Sequence, residues 1–164
     1  MIVIVFGLPG SGKSYFASRL AGMINAEYIN SDKVRKTMFE TSSYSKKEKL
    51  AVYNEMISQI AETVRKRENV VLDATFYKND VRKRFVNEVE NNDGIIFIEI
   101  WAEEHLIRER LKRPRKHSEA DFKVYKKIKK QWEPLKQTHL ILQSTDDNIR
   151  DMLEKTADYL HLKK

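Results

Sequence analysis

Two patterns of hydrophobic and polar positions alternate along the chain. The first consists of short runs, rich in Val and Ile, that are apolar at almost every position, as is typical of strands buried on both faces of a sheet. These runs are Ile2–Phe6, Tyr28–Ile29, Val70–Leu72, Ile95–Trp101 and Leu140–Leu142, of which Tyr28–Ile29 is the weakest. The first pattern therefore predicts five buried strands.

The second pattern occurs in the longer charged segments between these runs, where apolar residues recur every three or four positions. This spacing predicts amphipathic helices, because residues three or four apart share one helical face. One such face consists of Leu50, Tyr53, Ile57, Ile60 and Val64. Buried strands that alternate with helices indicate a parallel sheet covered on both sides, so we predict an α/β fold. No repeat or linker divides the chain, and we expect one domain over residues 1–164.

A glycine-rich turn follows the first predicted strand and leads directly into a predicted helix. The turn reads Gly7-Leu8-Pro9-Gly10-Ser11-Gly12-Lys13-Ser14 and is followed by Tyr15. In such a turn the backbone amides and the helix N-terminus bind phosphate oxygens, the lysine reaches the outer phosphates and the serine hydroxyl ligates Mg²⁺. The motif predicts ATP and Mg²⁺ as cofactors, with Lys13 in a catalytic role. The predicted binding residues are Gly7, Pro9, Gly10, Ser11, Gly12, Lys13, Ser14 and Tyr15.

An aspartate, Asp73, ends the predicted strand Val70–Leu72. A carboxylate at the end of a strand beside the phosphate loop can hold the shell of a bound magnesium ion. A turn or a helix cap is the commoner use of aspartate, but the phosphate loop favours the metal-side role, together with Ser14. Thr75, just beyond, is a candidate substrate contact, and a hydroxyl in a strand-end turn is the equal alternative.

A second candidate site follows the Tyr28–Ile29 strand, where Asp32 and Arg35 lie three positions apart and share a helical face. Near a triphosphate, Asp32 would accept the proton of an acceptor hydroxyl and Arg35 would bind an anionic group of the acceptor. A capped helix start, with Ser31 as the cap and Arg35 paired with Asp32, accounts for the same residues. Because ligands in open α/β sheets bind beyond the carboxyl ends of the strands, we favour the functional interpretation.

The net charge of +7 is confined to one part of the chain. Twelve basic and four acidic residues lie in residues 108–136, so this basic segment carries +8 and the remainder carries −1. A surface that binds nucleic acid along its whole extent would distribute its charge more evenly. The distribution predicts a single segment that faces an anion.

The first half of the basic segment has the pattern of a lid. A helix is predicted over Glu103–Lys112 and Pro114 should end it, while Ser118 is predicted to cap a second helix with Asp121 at its third position. Guanidinium groups on a mobile turn between two helices can stabilise the charge that phosphoryl transfer spreads over the moving group. We expect the main, catalytic contact from Arg113, then contacts from Arg110 and Arg115.

The second half of the basic segment contains the lysine run from Lys123 to Lys130. Its apolar stripe consists of Phe122, Tyr125, Ile128 and Trp132, and the lysines occupy the other face. A solvated helix face is the usual explanation of such a run. The alternative is binding of a nucleic-acid backbone, with Tyr125 and Trp132 stacked on bases; more often such aromatic residues belong to the core.

The combination of motifs resembles the small P-loop kinases, which include the kinase domain of polynucleotide kinase-phosphatases and the gluconate-, shikimate- and zeta-toxin-like enzymes. The residues that carry the resemblance are GLPGSGKS, NSDKVR, VVLDATF with Arg82 beyond it, and Trp101 before an arginine-rich helix and HSEAD. The resemblance implies a five-stranded parallel sheet in the order 2-3-1-4-5. It also implies Asp32 as acceptor-side base, Arg35 and Arg82 as acceptor contacts, and a lid whose arginines contact the nucleotide.

Composition excludes several other classes of protein. Without cysteine the chain has no disulfide, thiolate nucleophile or Cys-based metal site, and a reducing cytoplasm is expected. The longest apolar run, Met1–Phe6, is too short to span a membrane and no charged leader precedes it, so neither a membrane partner nor export is expected. We favour a kinase that phosphorylates a hydroxyl of a small molecule. The alternatives are a polynucleotide 5′-hydroxyl kinase and a nucleotide-binding regulatory protein without an acceptor.

Overall fold

Strands and helices alternate in the computed structural model, which describes residues 1–89, 94–114 and 120–162. The strands are β1 (Ile2–Phe6), β2 (Ala26–Asn30), β3 (Asn69–Asp73), β4 (Ile95–Trp101) and β5 (Leu140–Gln143). The helices are α1 (Lys13–Met23), α2 (Ser31–Met38), α3 (Lys46–Arg65), α4 (Asn79–Glu88), α5 (Glu104–Lys112), α6 (Phe122–Lys130) and α7 (Ile149–Tyr159). The predicted strands are confirmed, and the weakest of them, Tyr28–Ile29, belongs to β2.

The strands form one sheet in which all neighbours are parallel and the order is β2-β3-β1-β4-β5. This confirms the predicted fold class and strand order. Asn30 at the end of β2 lies opposite Asp73 at the end of β3, which in turn lies opposite Val5 near the end of β1. The carboxyl ends of three adjacent strands therefore meet at one edge of the sheet.

Strand β1 lies at the centre of the molecule, and both of its faces are buried. Ile2, Ile4 and Phe6 pack into a core that includes residues of α3 and α4, while Val3 and Val5 pack into a second core with residues of α1 and α7. Helices on both sides of the sheet explain why the strand is apolar at every position. The loop after β1 therefore starts from a strand that is packed on both faces.

Helix α3 buries a face that differs from the predicted one. Its fully buried apolar residues are Val52, Met56 and Ile60, while Tyr53, Ile57 and Val64 pack at the side of the same core. The predicted inclusion of Leu50 is wrong, because Leu50 is exposed and lies two positions, about 200° around the helix, from Val52.

Among the described residues, no helix is both long and apolar enough to cross a membrane.

The helix at the end of the basic segment begins later than predicted. Asp121 is its N-cap, and the carboxylate accepts a hydrogen bond of 3.0 Å from the amide of Val124. The placement of Asp121 at the third helical position is therefore wrong, because its side chain satisfies the first turn from outside the helix. Ser118, the predicted cap, lies outside the described residues.

The aromatic residues of the basic segment belong to the core. Tyr125 is buried in a small cluster with Ala102 and Ile107. Trp132 stacks on Phe6 with ring centroids 5.9 Å apart. These contacts favour the core interpretation of both rings over base stacking.

Candidate active site

Residues 7–12 join β1 to α1, and the geometry of this loop requires two of its glycines. A Cβ atom at Gly7 would overlap the carbonyl oxygen of Ile100 in the neighbouring strand β4. Gly12 has φ +91°, which L side chains rarely adopt, and a Cβ there would lie 2.6 Å from Ser144 Oγ. The loop thus packs tightly against the edge of the sheet and ends at the N-terminus of α1. A helix N-terminus favours the binding of a phosphate group.

A pocket of ≈ 540 Å³ opens beside this loop. Its size lies within the range of small-molecule and cofactor sites, about 300–1,000 Å³. The lining residues are Gly10, Gly12, Lys13, Ser14, Tyr15, Arg110, Arg113, Pro114, Ser144, Thr145 and Asp146. The pocket brings together most of the residues predicted to bind the nucleotide.

The other residues predicted to bind the nucleotide are not on the wall of this pocket. Gly7 and Pro9 are buried within the loop, and Ser11 is fully buried and lines a separate cavity of ≈ 320 Å³. Arg115 lies outside the described residues. The roles predicted for these four residues stay predictions.

Arg110 connects helix α5 to the pocket beside the glycine-rich loop. Its Nη1 atom donates to the Gly10 carbonyl at 3.3 Å and to Ser144 Oγ at 3.2 Å, and its Nη2 atom lies 3.2 Å from Asp146 Oδ1. Arg113 is exposed and follows α5 at the rim of the pocket. Arg110, rather than Arg113, therefore has the direct contact with the phosphate loop in this structure.

The loop at residues 144–146 belongs to the site, although no pattern in the sequence predicted it. The loop follows β5, its residues Ser144, Thr145 and Asp146 line the pocket, and Ser144 lies directly beside Gly12 of the phosphate loop. Its position beyond the carboxyl end of a parallel strand was the available signal, since ligands bind at that edge.

Asp73 is completely buried at the end of β3, and its two carboxylate oxygens have different surroundings. Oδ2 accepts hydrogen bonds from the Tyr28 hydroxyl at 2.7 Å and from Asn30 Nδ2 at 2.5 Å. Oδ1 is buried and has no hydrogen-bond partner among the described residues. Burial, and next the charge of Asp73, raise the pKa of Tyr28 far above its ordinary value of 10.0, so the hydroxyl stays protonated and donates.

These residues fit the metal that the sequence predicts. A buried carboxylate oxygen without a donor is costly, and a water molecule bound to magnesium would supply the missing donor at Oδ1. Ser14, at the start of α1, is the other predicted ligand. Within residues 1–89, 94–114 and 120–162, no group of three or more His, Cys, Asp or Glu side chains is arranged to hold a metal. Magnesium sites commonly combine one or two protein ligands with the phosphate oxygens of a bound nucleotide, and Ser14 and Asp73 would suit such a site.

Helix α2 carries Asp32 and begins directly after β2. Its cap is Asn30, whose side-chain oxygen accepts from the amide of Lys33 at 2.9 Å, so the alternative with Ser31 as the cap is wrong. Arg35 Nη1 donates to Asp32 Oδ1 at 3.0 Å, which confirms that the two side chains share a face. The Asp32 side chain remains 29% exposed and accessible to a ligand.

Arg35 is held between two carboxylates rather than presented to solvent. Its residue exposure is 7%, and its Nε atom lies 2.9 Å from Glu48 Oε1 of α3. Neither of these two atoms has a hydrogen-bond partner among the described residues, and their contact is an ion pair. The guanidinium also lies 4.7 Å from the centre of the Tyr44 ring. In this arrangement Arg35 orients the Asp32 carboxylate. Contact of Arg35 with an acceptor stays a prediction.

Glu48 links Arg35 to the loop before α3. Its Oε2 atom accepts from the backbone amide of Ser43 at 2.6 Å and from the Ser43 hydroxyl at 2.8 Å. Burial by itself would raise the pKa of Glu48, but these hydrogen bonds and the charge of Arg35 outweigh burial and hold the pKa below its usual value of 4.5. Glu48 therefore stabilises the folded state only while it is ionised.

We expect Glu48→Gln to lower the melting temperature by several degrees at pH 7. The difference in melting temperature from the unchanged protein should become smaller as the pH falls. The folded pKa is lower than the unfolded pKa, so the stabilisation is complete above the unfolded value of 4.5 and is lost as pH falls through the folded value. Melting temperatures of both proteins from pH 7 to pH 3 test this. Glu62→Gln, at an exposed ion pair, should change little at any pH. If the melting temperature of Glu48→Gln differs from that of the unchanged protein by the same amount at every pH, the prediction is contradicted.

Thr75 and Arg82 occupy different environments. Thr75 is half-buried just beyond β3, at the same edge as Asp73, and its role as a substrate contact stays a prediction. Arg82 is 2% exposed, donates to Asn79 Oδ1 at 2.6 Å and to the Glu133 carbonyl, and burial lowers the pKa of its guanidinium below the ordinary value. Its contacts are those of a core residue, and none of those described involves Asp32.

The sequence of this chain is similar to a described protein family and to a probable kinase. A family model described as an AAA domain matches residues 2–135. A probable adenylyl-sulfate kinase from Aeropyrum pernix is 25% identical over 170 residues, which cover 98% of this chain and 90% of the relative. The match to the family model spans most of the chain.

Solved structures of kinases have the same fold. An unliganded sugar kinase from Janibacter sp. HTCC2649 has a TM-score of 0.75 at 14% identity, with 98% of this chain and 94% of that chain covered. The APS kinase of Mycobacterium tuberculosis, in complex with AMPPNP and APS, has a TM-score of 0.72 at 15% identity, with 98% and 96% covered. At such low identity the likeness shows a common fold.

Proposed function

Because the chain belongs to the AAA_33 family of AAA domain proteins and has the fold of the small P-loop kinases, we propose that it is an ATP-dependent kinase for a small molecule. It transfers the γ-phosphoryl group of Mg-ATP to a hydroxyl of the acceptor. One observation carries the proposal: the phosphate loop, Asp73 and Asp32 lie at the carboxyl ends of three adjacent parallel strands, β1, β3 and β2.

The donor side consists of the phosphate loop and the lid. Lys13 and the loop amides bind the β- and γ-phosphates, and Ser14 and Asp73 would hold a magnesium ion. The chemistry that bound magnesium would supply is neutralisation of charge on the phosphates, which would favour departure of ADP. Arg110 and Arg113 border the pocket and, with Arg115, add positive charge over the phosphates.

The acceptor side consists of the start of α2 and the residues after β3. Asp32 accepts the proton of the acceptor hydroxyl as its oxygen forms a bond to the γ-phosphorus and the bond to the leaving ADP oxygen breaks. Arg35 holds the Asp32 carboxylate in one orientation, and Thr75 contacts the acceptor. The relatives are named as kinases of adenylyl sulfate and of a sugar, which supports a small molecule as the acceptor of this chain.

A screen with γ-labelled ATP and Mg²⁺ tests the proposed function. The acceptors are sugars, sugar acids, adenylyl sulfate and oligonucleotides with a 5′-hydroxyl group. A labelled small molecule supports the proposal. Labelling of oligonucleotides alone, with affinity that falls steeply with salt, supports a polynucleotide kinase instead. ATP hydrolysis without labelling of any acceptor supports a regulatory nucleotide-binding protein.

A further inference from the structure

The two hydrogen bonds on Asp73 come from residues for which the proposed function has no role. Tyr28 and Asn30 both lie on β2, and both donate to the same oxygen, Oδ2, at 2.7 and 2.5 Å. The second amide hydrogen of Asn30 has an acceptor in the Tyr28 hydroxyl, 3.3 Å away. Oδ2 is therefore saturated by donors, whereas Oδ1 has none among the described residues.

We propose that Tyr28 and Asn30 are positioning residues that lock the Asp73 carboxylate so that Oδ1 alone serves the magnesium site. The proposal rests on the proposed function, because it assumes that Mg-ATP binds beside Asp73. Without these donors the carboxylate could rotate about its terminal torsion, which is broad in aspartate, and exchange its two oxygens. Because the carboxylate is already held in one orientation, less of its conformational entropy is lost when the metal binds.

The position of Tyr28 supports this role. Its hydroxyl lies 2.7 Å from Asp73 Oδ2 and 3.5 Å from the carbonyl oxygen of Ser14. A hydroxyl has one proton, and the shorter distance assigns this proton to Asp73. Tyr28 thus lies between the strand-end carboxylate and the first turn of α1, where the other predicted magnesium ligand is located.

Asn30 adds a connection to the acceptor side. Its Nδ2 atom donates to Asp73, while its Oδ1 atom caps α2 by accepting from the Lys33 amide at 2.9 Å. Asn30 and Asp73 lie opposite each other in the register of β2 and β3. One side chain therefore fixes both the metal-side carboxylate and the start of the helix that carries Asp32.

The variants Tyr28→Phe and Asn30→Ser separate this role from folding. Tyr28→Phe removes only the hydroxyl. Asn30→Ser removes the donor to Asp73 but keeps an oxygen that can cap α2, since serine is a favoured N-cap residue. The matched controls are Tyr159→Phe on the exposed side of α7 and Asn69→Ser at the start of β3. Asn69 donates to the Ile24 carbonyl and accepts from the N-terminal amine, so its replacement costs hydrogen bonds away from Asp73.

The experiment measures ATP affinity by calorimetry, once with saturating Mg²⁺ and once with EDTA, together with the melting temperature of each variant. We expect Tyr28→Phe and Asn30→Ser each to lower the gain in affinity from Mg²⁺ by about tenfold or more, with affinity in EDTA changed less than about twofold. Asp73→Asn should lose the same gain. Tyr159→Phe and Asn69→Ser should keep it, even if Asn69→Ser melts at a lower temperature.

The possible outcomes separate this inference from the proposed function. If Asp73→Asn loses the magnesium gain but either positioning variant keeps it in full with unchanged stability, the inference is wrong and the kinase proposal stands. A variant that does not fold leaves the other to decide, because both act on the same oxygen. If the unchanged chain binds ATP no better with Mg²⁺ than with EDTA, the donor side of the proposed function fails and this inference fails with it. If both positioning variants lose the gain in ATP affinity from Mg²⁺ and the screen finds no phosphorylated acceptor, the inference is supported and only the kinase activity is contradicted.

Discussion

Asp32→Asn is expected to lower kcat for phosphoryl transfer by about a hundredfold or more, measured on an acceptor found in the screen. Asparagine has nearly the same shape as aspartate but cannot accept the proton of the hydroxyl. ATP affinity should stay within about twofold, because Asp32 lies on the acceptor side and is not among the residues that line the nucleotide pocket. The loss should therefore appear in kcat and not in the Kd for ATP.

Asp151→Asn is the matched control for this experiment. Asp151 also lies in the first turn of a helix, α7, and also pairs with a cation of its own helix, Lys155 at 2.8 Å. The control removes the same charge from a similar local setting, so kcat should not change beyond about twofold. If Asp32→Asn retains more than about a third of kcat, Asp32 is not the base and its contact with Arg35 belongs to an ordinary helix start.

The features that were predictable from the sequence depend on contacts near in sequence or on burial on both faces. Strand β1 is apolar throughout because helices cover both of its sides, and this shows directly as an uninterrupted run. The phosphate loop is equally visible, since its glycines, lysine and serine act within one turn and its flanks are a strand and a helix. Asp32 and Arg35, three positions apart, were expected on one helical face for the same local reason.

The features that escaped prediction depend on pairs of residues far apart in the sequence. Tyr28 and Asp73 are 45 positions apart, and Arg110 and Ser144 are 34 apart. Which side chains meet is decided by strand pairing and helix docking, not by local pattern. Arg35 illustrates the same limit: its spacing predicts the pair with Asp32, but its burial comes from Glu48 on α3. The exposed Leu50 shows that spacing alone also leaves the rotation of a helix against the sheet undetermined.

The phosphate loop allows a test of the donor side that does not require knowledge of the acceptor. Gly12→Ala is expected to weaken ATP binding by about tenfold or more. The left-handed conformation at Gly12, with φ +91°, costs an L side chain about 1–2 kcal/mol, a factor of about 5–30 in an equilibrium. The added Cβ would also lie 2.6 Å from Ser144 Oγ, so the loop must shift from the position in which its amides face the phosphates. Calorimetric titration with Mg-ATP measures the change.

Gly22→Ala is the matched control, since Gly22 lies in α1 and a Cβ there would have no neighbour within 4 Å. It should stabilise the chain by about 0.5–1 kcal/mol and leave ATP affinity unchanged. The double variant Gly12→Ala/Ser144→Ala removes the overlap with the hydroxyl but keeps the strained backbone, so it should recover part of the lost affinity. Full recovery would mean that the contact with Ser144 was the whole cost. Unchanged affinity in Gly12→Ala, at an unchanged melting temperature, would contradict the role of this loop in binding the triphosphate.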